Sequence, residues 1–225
     1  MDFSPHQRAW IFVNGLLPRP EALAKRIQRE DILIAADGGA RHLASMGFVP
    51  HVLIGDLDSL TDEEVETLKA KGTKVWRFPG DKDWTDLELA LNYAIDDGFT
   101  VLRLAAASGG RTDQQLANIL LLTRPELKDC DIALDDGTEE IFMVRGESIL
   151  HGQPGDRVSL IPLDEQVDGV RTQGLQWPLL GETLYRSATR GISNCMIADQ
   201  AVISAGQGTL LCIHTRKDFI DEETH

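Results

Sequence analysis

Several aspartates of this chain stand just after short apolar runs, spaced as ligands of a hard divalent cation would be. Asp56 and Asp58 lie two apart in Ile54-Gly55-Asp56-Leu57-Asp58-Ser59. In a locally extended backbone, residues two apart project to the same side, so both carboxylates can face one point. Mg²⁺ takes oxygen ligands and is commonly held by one or two carboxylates, with substrate phosphates completing its shell. Asp37-Gly38-Gly39 adds a turn whose glycines let backbone amides approach a ligand closely. Asp83-Trp84-Thr85-Asp86 puts one carboxylate ahead of a helix start and another in its first turn, where it can also complement the helix dipole. In Ser108-Gly109-Gly110-Arg111-Thr112-Asp113, two glycines lead into a helix amino terminus, an anion-binding arrangement to which Arg111 adds a bidentate phosphate donor. Taken singly, each segment reads as well as a solvated turn or a capped helix. Together they suggest a carboxylate-held Mg²⁺ bound to a polyphosphate. Neither Gly-x-x-x-x-Gly-Lys-Ser/Thr nor Gly-x-Gly-x-x-Gly after a strand is present.

The elements that would position these groups follow from apolar periodicity. Runs at 10–13, 32–36, 52–54, 75–78, 101–106 and 132–134 read as strands alternating with helical segments. Helices are predicted over 21–30 and 40–46, from Thr61 to about residue 71 where Gly72 stops it, from Thr85, and from Thr112. Thr61 with Glu64, Thr85 with Glu88 and Thr112 with Gln115 each show capping-box spacing. This alternation predicts right-handed crossovers and a parallel sheet, with the ligand crevice outside the carboxyl ends of the strands. Asp37, Asp56, Asp58, Asp83, Asp86 and Asp113 all follow predicted strands and so fall on that edge. After Gly137 the character changes. Runs at 141–144, 148–150, 158–161, 196–204 and 209–214 are short and β-rich, separated by turn clusters such as Gln153-Pro154-Gly155-Asp156. The chain is therefore expected to divide into an α/β domain with a mainly parallel sheet over 1–137 and a smaller antiparallel β-sandwich or partial barrel over 138–225. A charged, frayed tail is expected from Arg216.

Composition narrows the function classes. Lys and Arg number 22 against 36 Asp and Glu, a net charge of −14. That excess argues against nucleic acid or an anionic membrane surface as a partner. It leaves phosphate binding to local devices such as a metal ion, backbone amides or a single Arg. Cys130, Cys195 and Cys212 are scattered and show no Cys-x-x-Cys spacing, the pattern of reduced, mostly buried thiols in a cytoplasmic protein. The amino terminus lacks a basic segment followed by a long apolar one, and no run approaches the roughly 18 apolar residues of a membrane span. His6, His42, His51, His151, His214 and His225 form no ligand spacing and are expected on the surface or in turns, without a role.

The order of these motifs resembles one family. Asp37-Gly38-Gly39-Ala40, Gly55-Asp56-Leu57-Asp58-Ser59, Asp83 to Asp86 with Leu87-Glu88-Leu89-Ala90-Leu91, and Gly109-Gly110-Arg111 with Asp113 and Leu116-Ala117-Asn118 are similar to thiamine pyrophosphokinase. Val158-Ser159-Leu160-Ile161-Pro162-Leu163, Gly174-Leu175-Gln176-Trp177-Pro178-Leu179 and Arg190-Gly191-Ile192-Ser193-Asn194 follow in the expected order, so the resemblance runs from about Ile11 to Ile213. It implies an amino-terminal Rossmann-like α/β domain and a carboxy-terminal thiamine-binding β domain. It also implies Mg²⁺-dependent transfer of pyrophosphate from ATP to the thiamine hydroxyl, giving thiamine diphosphate and AMP, by a homodimer with active sites at the interface. Carried over by position, Asp56, Asp58 and Asp86 would bind Mg²⁺, and Asp83 and Asp113 would complete the acidic cluster. Asp37, Gly38, Gly39, Ser59, Ser108, Gly109, Gly110, Arg111 and Asn118 would contact nucleotide and phosphates. Trp177 would stack on the thiamine pyrimidine, with Ser193 and Asn194 as hydrogen-bonding groups. The family commonly has His after the Asp of its Gly-Gly-Arg-x-Asp motif, whereas this chain has Gln114, which cannot titrate near pH 7.

Two other readings fit the residues. One is pyrophosphate transfer to another heteroaromatic alcohol such as a pterin. The other is a protein that binds thiamine diphosphate or a nucleotide without turnover, against which stands the full set of like-charged aspartates beside Arg111.

Overall fold

The computed structural model describes residues 7–81 and 83–217, so His6, His225 and the tail beyond Lys217 lie outside the described residues. The chain divides into two compact units between Gly137 and Thr138. Unit 1 contains the strands β1 (Arg8–Phe12), β2 (Ile32–Ala36), β3 (Val52–Gly55), β4 (Lys74–Arg77), β5 (Val101–Ala105) and β6 (Asp131–Asp135). Between them lie the helices α1 (Pro20–Ala24), α2 (Gly39–Ser45), α3 (Asp62–Ala70), α4 (Asp86–Asp96) and α5 (Thr112–Leu121). The strands run in the order β6-β5-β1-β2-β3-β4, with parallel pairing throughout. β2 and β3 are buried along their whole length, which is why their sequences are continuous apolar runs rather than alternating ones. The chain winds from β1 outward to β4 and then returns to lay β5 on the other side of β1, so the order reverses between β1 and β5. Ligands of open α/β sheets bind outside the strand ends at such a reversal.

Two helices start as their spacing predicts. Thr61 Oγ1 accepts Glu64 N–H at 3.2 Å while Glu64 Oε2 accepts Thr61 N–H at 2.7 Å, and Thr85 and Glu88 repeat the exchange at 3.2 and 3.1 Å. Arg41 and the Thr61 amide together hold the Glu64 carboxyl down at about 2. α5 departs from the pattern: Arg111 is its N-cap, Thr112 its first helical residue, and no side chain caps it. α1 is also shorter than the predicted 21–30, ending at Ala24. The segment after it turns instead onto buried Asp31, which accepts Gln28 N–H at 2.8 Å, Trp10 Nε1–H at 2.9 Å and both Nε and Nη2 of Arg8.

Unit 2 is all β: β7 (Glu139–Val144), β8 (Glu147–His151), β9 (Arg157–Pro162), β10 (Gln166–Gln173), β11 (Leu180–Tyr185), β12 (Asn194–Cys195), β13 (Gln200–Ser204) and β14 (Leu210–Thr215). One antiparallel sheet has the order β12-β9-β14-β7 and the other β11-β10-β13-β8. Val158, Leu160 and Leu210 of the first share a core with Leu150, Val167 and Ile203 of the second, which makes the unit a sandwich. β10 and β11 are strands that apolar content does not reveal. The expected strand over 196–204 is shortened to β13, with the two-residue β12 just ahead of it. Among the described residues, no helix is long and apolar enough to cross a membrane.

His151 is exposed and His51 stands in the bend before β3, in keeping with the surface or turn positions expected, whereas His214 and His42 depart from them. His214 is buried on β14, His42 on α2 lies 2.9 Å through Nε2 from Gly15 O, and His51 Nδ1 accepts Leu33 N–H at 3.0 Å. Burial holds the His51 imidazole below its usual pKa.

Candidate functional site

The carboxyl ends of β2 and β3 form the acidic part of the site. Ala36 pairs with Ile54 across the two strands, so Asp37 and Gly55 leave the sheet side by side, and Asp37 N–H donates to Ile54 O at 2.8 Å. Both turns bend sharply: Asp37 has φ 47° and Leu57 φ 65°, a region that side chains visit only when the surroundings compel it. Gly55, at φ 147°, cannot be replaced without cost, because a methyl there would sit 3.0 Å from Asp86 Oδ1 and 3.1 Å from Asp37 Cβ. Space without a side chain thus lets these carboxylates draw together. Asp37, Asp56 and Asp58 each offer an oxygen, all within 4.8 Å of one another. Asp58 N–H donates to Asp56 Oδ1 at 3.2 Å and Ser59 Oγ to Asp58 Oδ1 at 3.3 Å, which shapes the loop. Asp37 is 6% exposed and its Oδ1 is buried with no hydrogen-bond partner among the described residues. A buried, unpaired carboxylate oxygen facing two further carboxylates is costly unless a cation completes it. The all-oxygen donor set suits a hard ion such as Mg²⁺.

The grouping differs from the expected one in one member. Asp37, assigned to nucleotide by position, lies in the trio, and Asp86 flanks it across Gly55 from the amino end of α4. Asp83 is exposed ahead of that helix and lines neither trio nor cavity. Asp113 pairs instead with Arg111, Nε to Oδ1 at 3.1 Å and Nη2 to Oδ2 at 2.5 Å, both side chains being exposed. Each raises or lowers the other as expected, the guanidinium pushed up and the carboxyl down.

Beside the trio lies a cavity of about 270 Å³ at the sheet reversal, lined by Asn14 and Gly15 after β1, Asp37, Asp86, Gly109 and Asn118 among others. Two loops are zipped together to form its wall: Gly15 N–H donates to Ala106 O at 2.9 Å and Leu16 N–H to Ser108 O at 3.1 Å. Asn118 Nδ2 donates to Ala107 O at 2.7 Å, so its side chain fixes the loop after β5. Gly39, the first residue of α2, has no room for a side chain, since a Cβ would lie 1.9 Å from Phe12 O. Gly38 precedes it as the N-cap, and Ser59 is reached by Asn14 Nδ2 at 3.5 Å. Ser108 Oγ turns to Asp136 at 3.4 Å and Gly110 is exposed, so neither lines the cavity. Asn14, Gln114 and Gln115 do line it and were not singled out as binding groups from the sequence. The signal was available for Asn14, because Asn14-Gly15 ends a strand on the same edge as the aspartates.

Unit 2 has its own cavity, of about 420 Å³, lined by Trp177, Leu179, Thr189, Arg190, Gly191, Ile192 and Asn194. Trp177 is 58% exposed, so its ring is available to a ligand rather than spent in the core. Asn194 is buried and holds the Trp177 backbone at both ends, Nδ2 donating to Trp177 O and Oδ1 accepting Trp177 N–H at 3.1 Å. Ser193, at φ 59°, donates its N–H to Ser159 Oγ at 3.0 Å and does not line this cavity. Arg190 at the rim pairs with Glu182 at 3.0 Å.

Comparison with known proteins follows the same division. The family model for the thiamin pyrophosphokinase catalytic domain matches residues 23–134, and that for the thiamin pyrophosphokinase vitamin B1 binding domain matches residues 147–210. The thiamine pyrophosphokinase of Bacillus subtilis is 29% identical over 184 residues, spanning 81% of this chain and 86% of that protein. Thiamine pyrophosphokinase 1 of Arabidopsis thaliana is 24% identical over 241 residues, 96% of this chain and 90% of the plant protein. Among solved structures, the B. subtilis thiamine pyrophosphokinase superposes with a TM-score of 0.83 at 27% identity, covering 93% of this chain and 99% of its own. That of Geobacillus thermodenitrificans gives 0.80 at 29%, covering 93% and 97%.

Proposed function

The chain belongs to the thiamine pyrophosphokinase family, and we propose that it carries pyrophosphate from ATP to the hydroxyl of thiamine, releasing AMP, with Mg²⁺ as cofactor. The observation that carries the metal and nucleotide assignment is Asp37 Oδ1, buried and unpartnered among the carboxylates of Asp56 and Asp58. Those three residues, with Asp86 beside them, would hold the ion. Bound there, Mg²⁺ would neutralise phosphate oxygens and favour displacement at phosphorus.

The chain's own residues supply positioning and charge, which is most of what phosphoryl-type transfer asks of a protein. The nucleotide occupies the cavity walled by Asn14, Gly15 and Asn118, with its phosphates toward the acidic end. Arg111, held at the mouth of α5 by Asp113, lends its guanidinium to the phosphates as they arrive, and the amino-terminal end of that helix adds partial positive charge. The thiamine hydroxyl oxygen bonds to the β-phosphorus of ATP as the bond to the α-phosphate oxygen breaks, and AMP leaves. Gln114 lines the cavity but can only keep a hydrogen bond, so a carboxylate of the cluster takes the hydroxyl proton. Thiamine is cationic, and the open face of Trp177 attracts it through the ring quadrupole. We further propose that the enzyme is a cytoplasmic homodimer; among the described residues Cys130, Cys195 and Cys212 form no disulfide, as suits a reducing compartment.

The test is to incubate the protein with thiamine, ATP and Mg²⁺ and to separate the products by chromatography. Thiamine-dependent AMP in equal amount to thiamine diphosphate, abolished by EDTA and restored by Mg²⁺, is expected. ADP in place of AMP would contradict two-phosphate transfer, and turnover of a pterin alcohol but not thiamine would move the substrate assignment.

A further inference from the structure

Unit 2 buries a hydrogen-bonded His–Asp pair that the proposed reaction does not use. His214 on β14 and Asp156 in the turn before β9 are each 1% exposed, and His214 Nε2 lies 2.7 Å from Asp156 Oδ2. His214 Nδ1, on the other side of the ring, has no hydrogen-bond partner among the described residues and is 4.0 Å from Glu140 Oε2 on β7. Burying two such polar side chains costs desolvation that one hydrogen bond only partly offsets, so stability alone accounts poorly for the pair.

Its connections lead to the vitamin pocket. Asp156 also accepts Gln153 N–H at 3.1 Å and Lys217 N–H at 2.8 Å, which fixes the 153–156 turn against the end of β14. The backbone of that turn then grips the strand beside it. Met196 N–H donates to Asp156 O at 2.8 Å and Gly155 N–H to Met196 O at 2.9 Å, while Arg157 and Val158 pair with Cys195 and Asn194. Asn194 is the residue that clamps both backbone groups of Trp177. There is no slack at the pair itself: a methyl at Gly152 would lie 2.5 Å from Asp156 Oδ2, 2.8 Å from Met196 Sδ and 3.0 Å from His214 Nε2.

We propose that Asp156 and His214 are positioning residues for thiamine: they lock the 153–156 turn onto residues 194–196 and thereby set, through Asn194, the orientation of Trp177. The inference deepens the reading of Trp177 as the platform for thiamine and rests on it. It separates two roles that a buried pair could have. A pair that only stabilises the sandwich changes the melting temperature and nothing specific to one substrate, whereas a positioning pair changes recognition of thiamine and leaves the nucleotide alone.

The experiment compares Asp156→Asn and Gly152→Ala with Asp31→Asn, a control that weakens an equally buried carboxylate in unit 1. Both unit 2 variants are expected to raise the KM for thiamine roughly tenfold, the scale of one lost positioning hydrogen bond, with kcat and the KM for ATP within about twofold. Without any substrate, they should also speed hydrogen exchange at the Trp177 and Cys195 amides, both of which donate to Asn194 Oδ1. Asp31→Asn should lower the melting temperature and do neither. Unit 2 variants that melt earlier but keep the parent's thiamine KM and amide protection would overturn the proposal. If Asp156→Asn fails to fold, His214→Gln with Gly152→Ala gives the same comparison. Should the parent prove to use another alcohol, the functional reading falls, and amide exchange still decides whether the pair sets Trp177.

Discussion

At the scale of single residues, Asp37 shows how this site exchanges stability for chemistry. It sits in a left-handed conformation at φ 47°, buried, with one oxygen unpaired and two more carboxylates within 4.8 Å. Each of these features is unfavourable in the metal-free protein, and Asn relieves the charge without disturbing the backbone, since it tolerates that conformation well. Asp37→Asn is therefore expected to lower kcat/KM by roughly a hundredfold or more, as loss of a charge-stabilising group does. Its melting temperature in EDTA should be equal to or above the parent's. Steady-state kinetics with a thermal melt checks both; a variant that melts earlier and keeps its activity would remove Asp37 from the metal site. The sequence points to the right carboxylates and leaves their grouping open for a plain reason. Asp56 and Asp58 are two apart, so local geometry pairs them, but Asp37 joins them only because β2 and β3 are neighbours in a register that sets Ala36 against Ile54. Arg111 and Asp113 are likewise legible as polar groups at a helix start, while their pairing with each other is settled by rotamers that spacing does not reveal.

At the scale of elements, α3 and α4 begin with the same device and differ in what they carry. Thr61 and Thr85 each close a capping box, but only α4 brings cavity residues in its first turn, Asp86 and Leu87, with Thr85 itself in the wall. Thr61→Ala and Thr85→Ala should each cost about 1 kcal/mol of stability, the usual loss of a threonine N-cap. Only Thr85→Ala should also lower kcat/KM, because fraying the first turn of α4 lets Asp86 drift from Gly55. Denaturant unfolding beside kinetics separates the two, and equal kinetic losses would show that the caps do not act through α4. The boxes at Thr61 and Thr85 are visible in sequence because both partners lie within one turn. The same spacing at Thr112 and Gln115 misleads, since the chain places Arg111 at the N-cap and pushes Thr112 into the helix. The strands β1, β2 and β3 are legible because burial on both faces writes a continuous apolar run. β10 and β11 are not: β10 buries Val167, Val170 and Thr172 while Gly169, Arg171 and Gln173 intervene, and β11 buries only Leu184. Such strands are held by cross-strand pairing and one buried face, a signal that average hydrophobicity dilutes.

At the scale of the whole molecule, the two units have separate cores, and the cavity beside the carboxylates in unit 1 and the cavity beside Trp177 in unit 2 differ in the ligand they suit. The unit 1 cavity has mixed polar and apolar walls, is acidic at one end through Asp37 and Asp86 and is backed by helix starts, which suits a metal-bound nucleotide. The unit 2 cavity is built around an exposed tryptophan and suits a flat cationic ring. A net charge of −14 favours a cation such as thiamine and opposes an anion such as ATP at long range, so on the proposed reading the nucleotide would depend on the ion in a way the vitamin would not. This predicts a pattern of protection in hydrogen exchange, because a ligand that binds only the folded form suppresses local opening around its site. ATP with Mg²⁺ should slow exchange at the strand ends around Asp37, Gly55 and Ala106 and in the first turn of α4. Thiamine should slow it around Trp177 and residues 189–196, and should do so without metal. EDTA should erase the first pattern and leave the second. Thiamine protection that vanishes with EDTA, or that falls only in unit 1, would mean that the vitamin is held by the carboxylate cluster, and Trp177 would then return to being an exposed side chain of the sandwich.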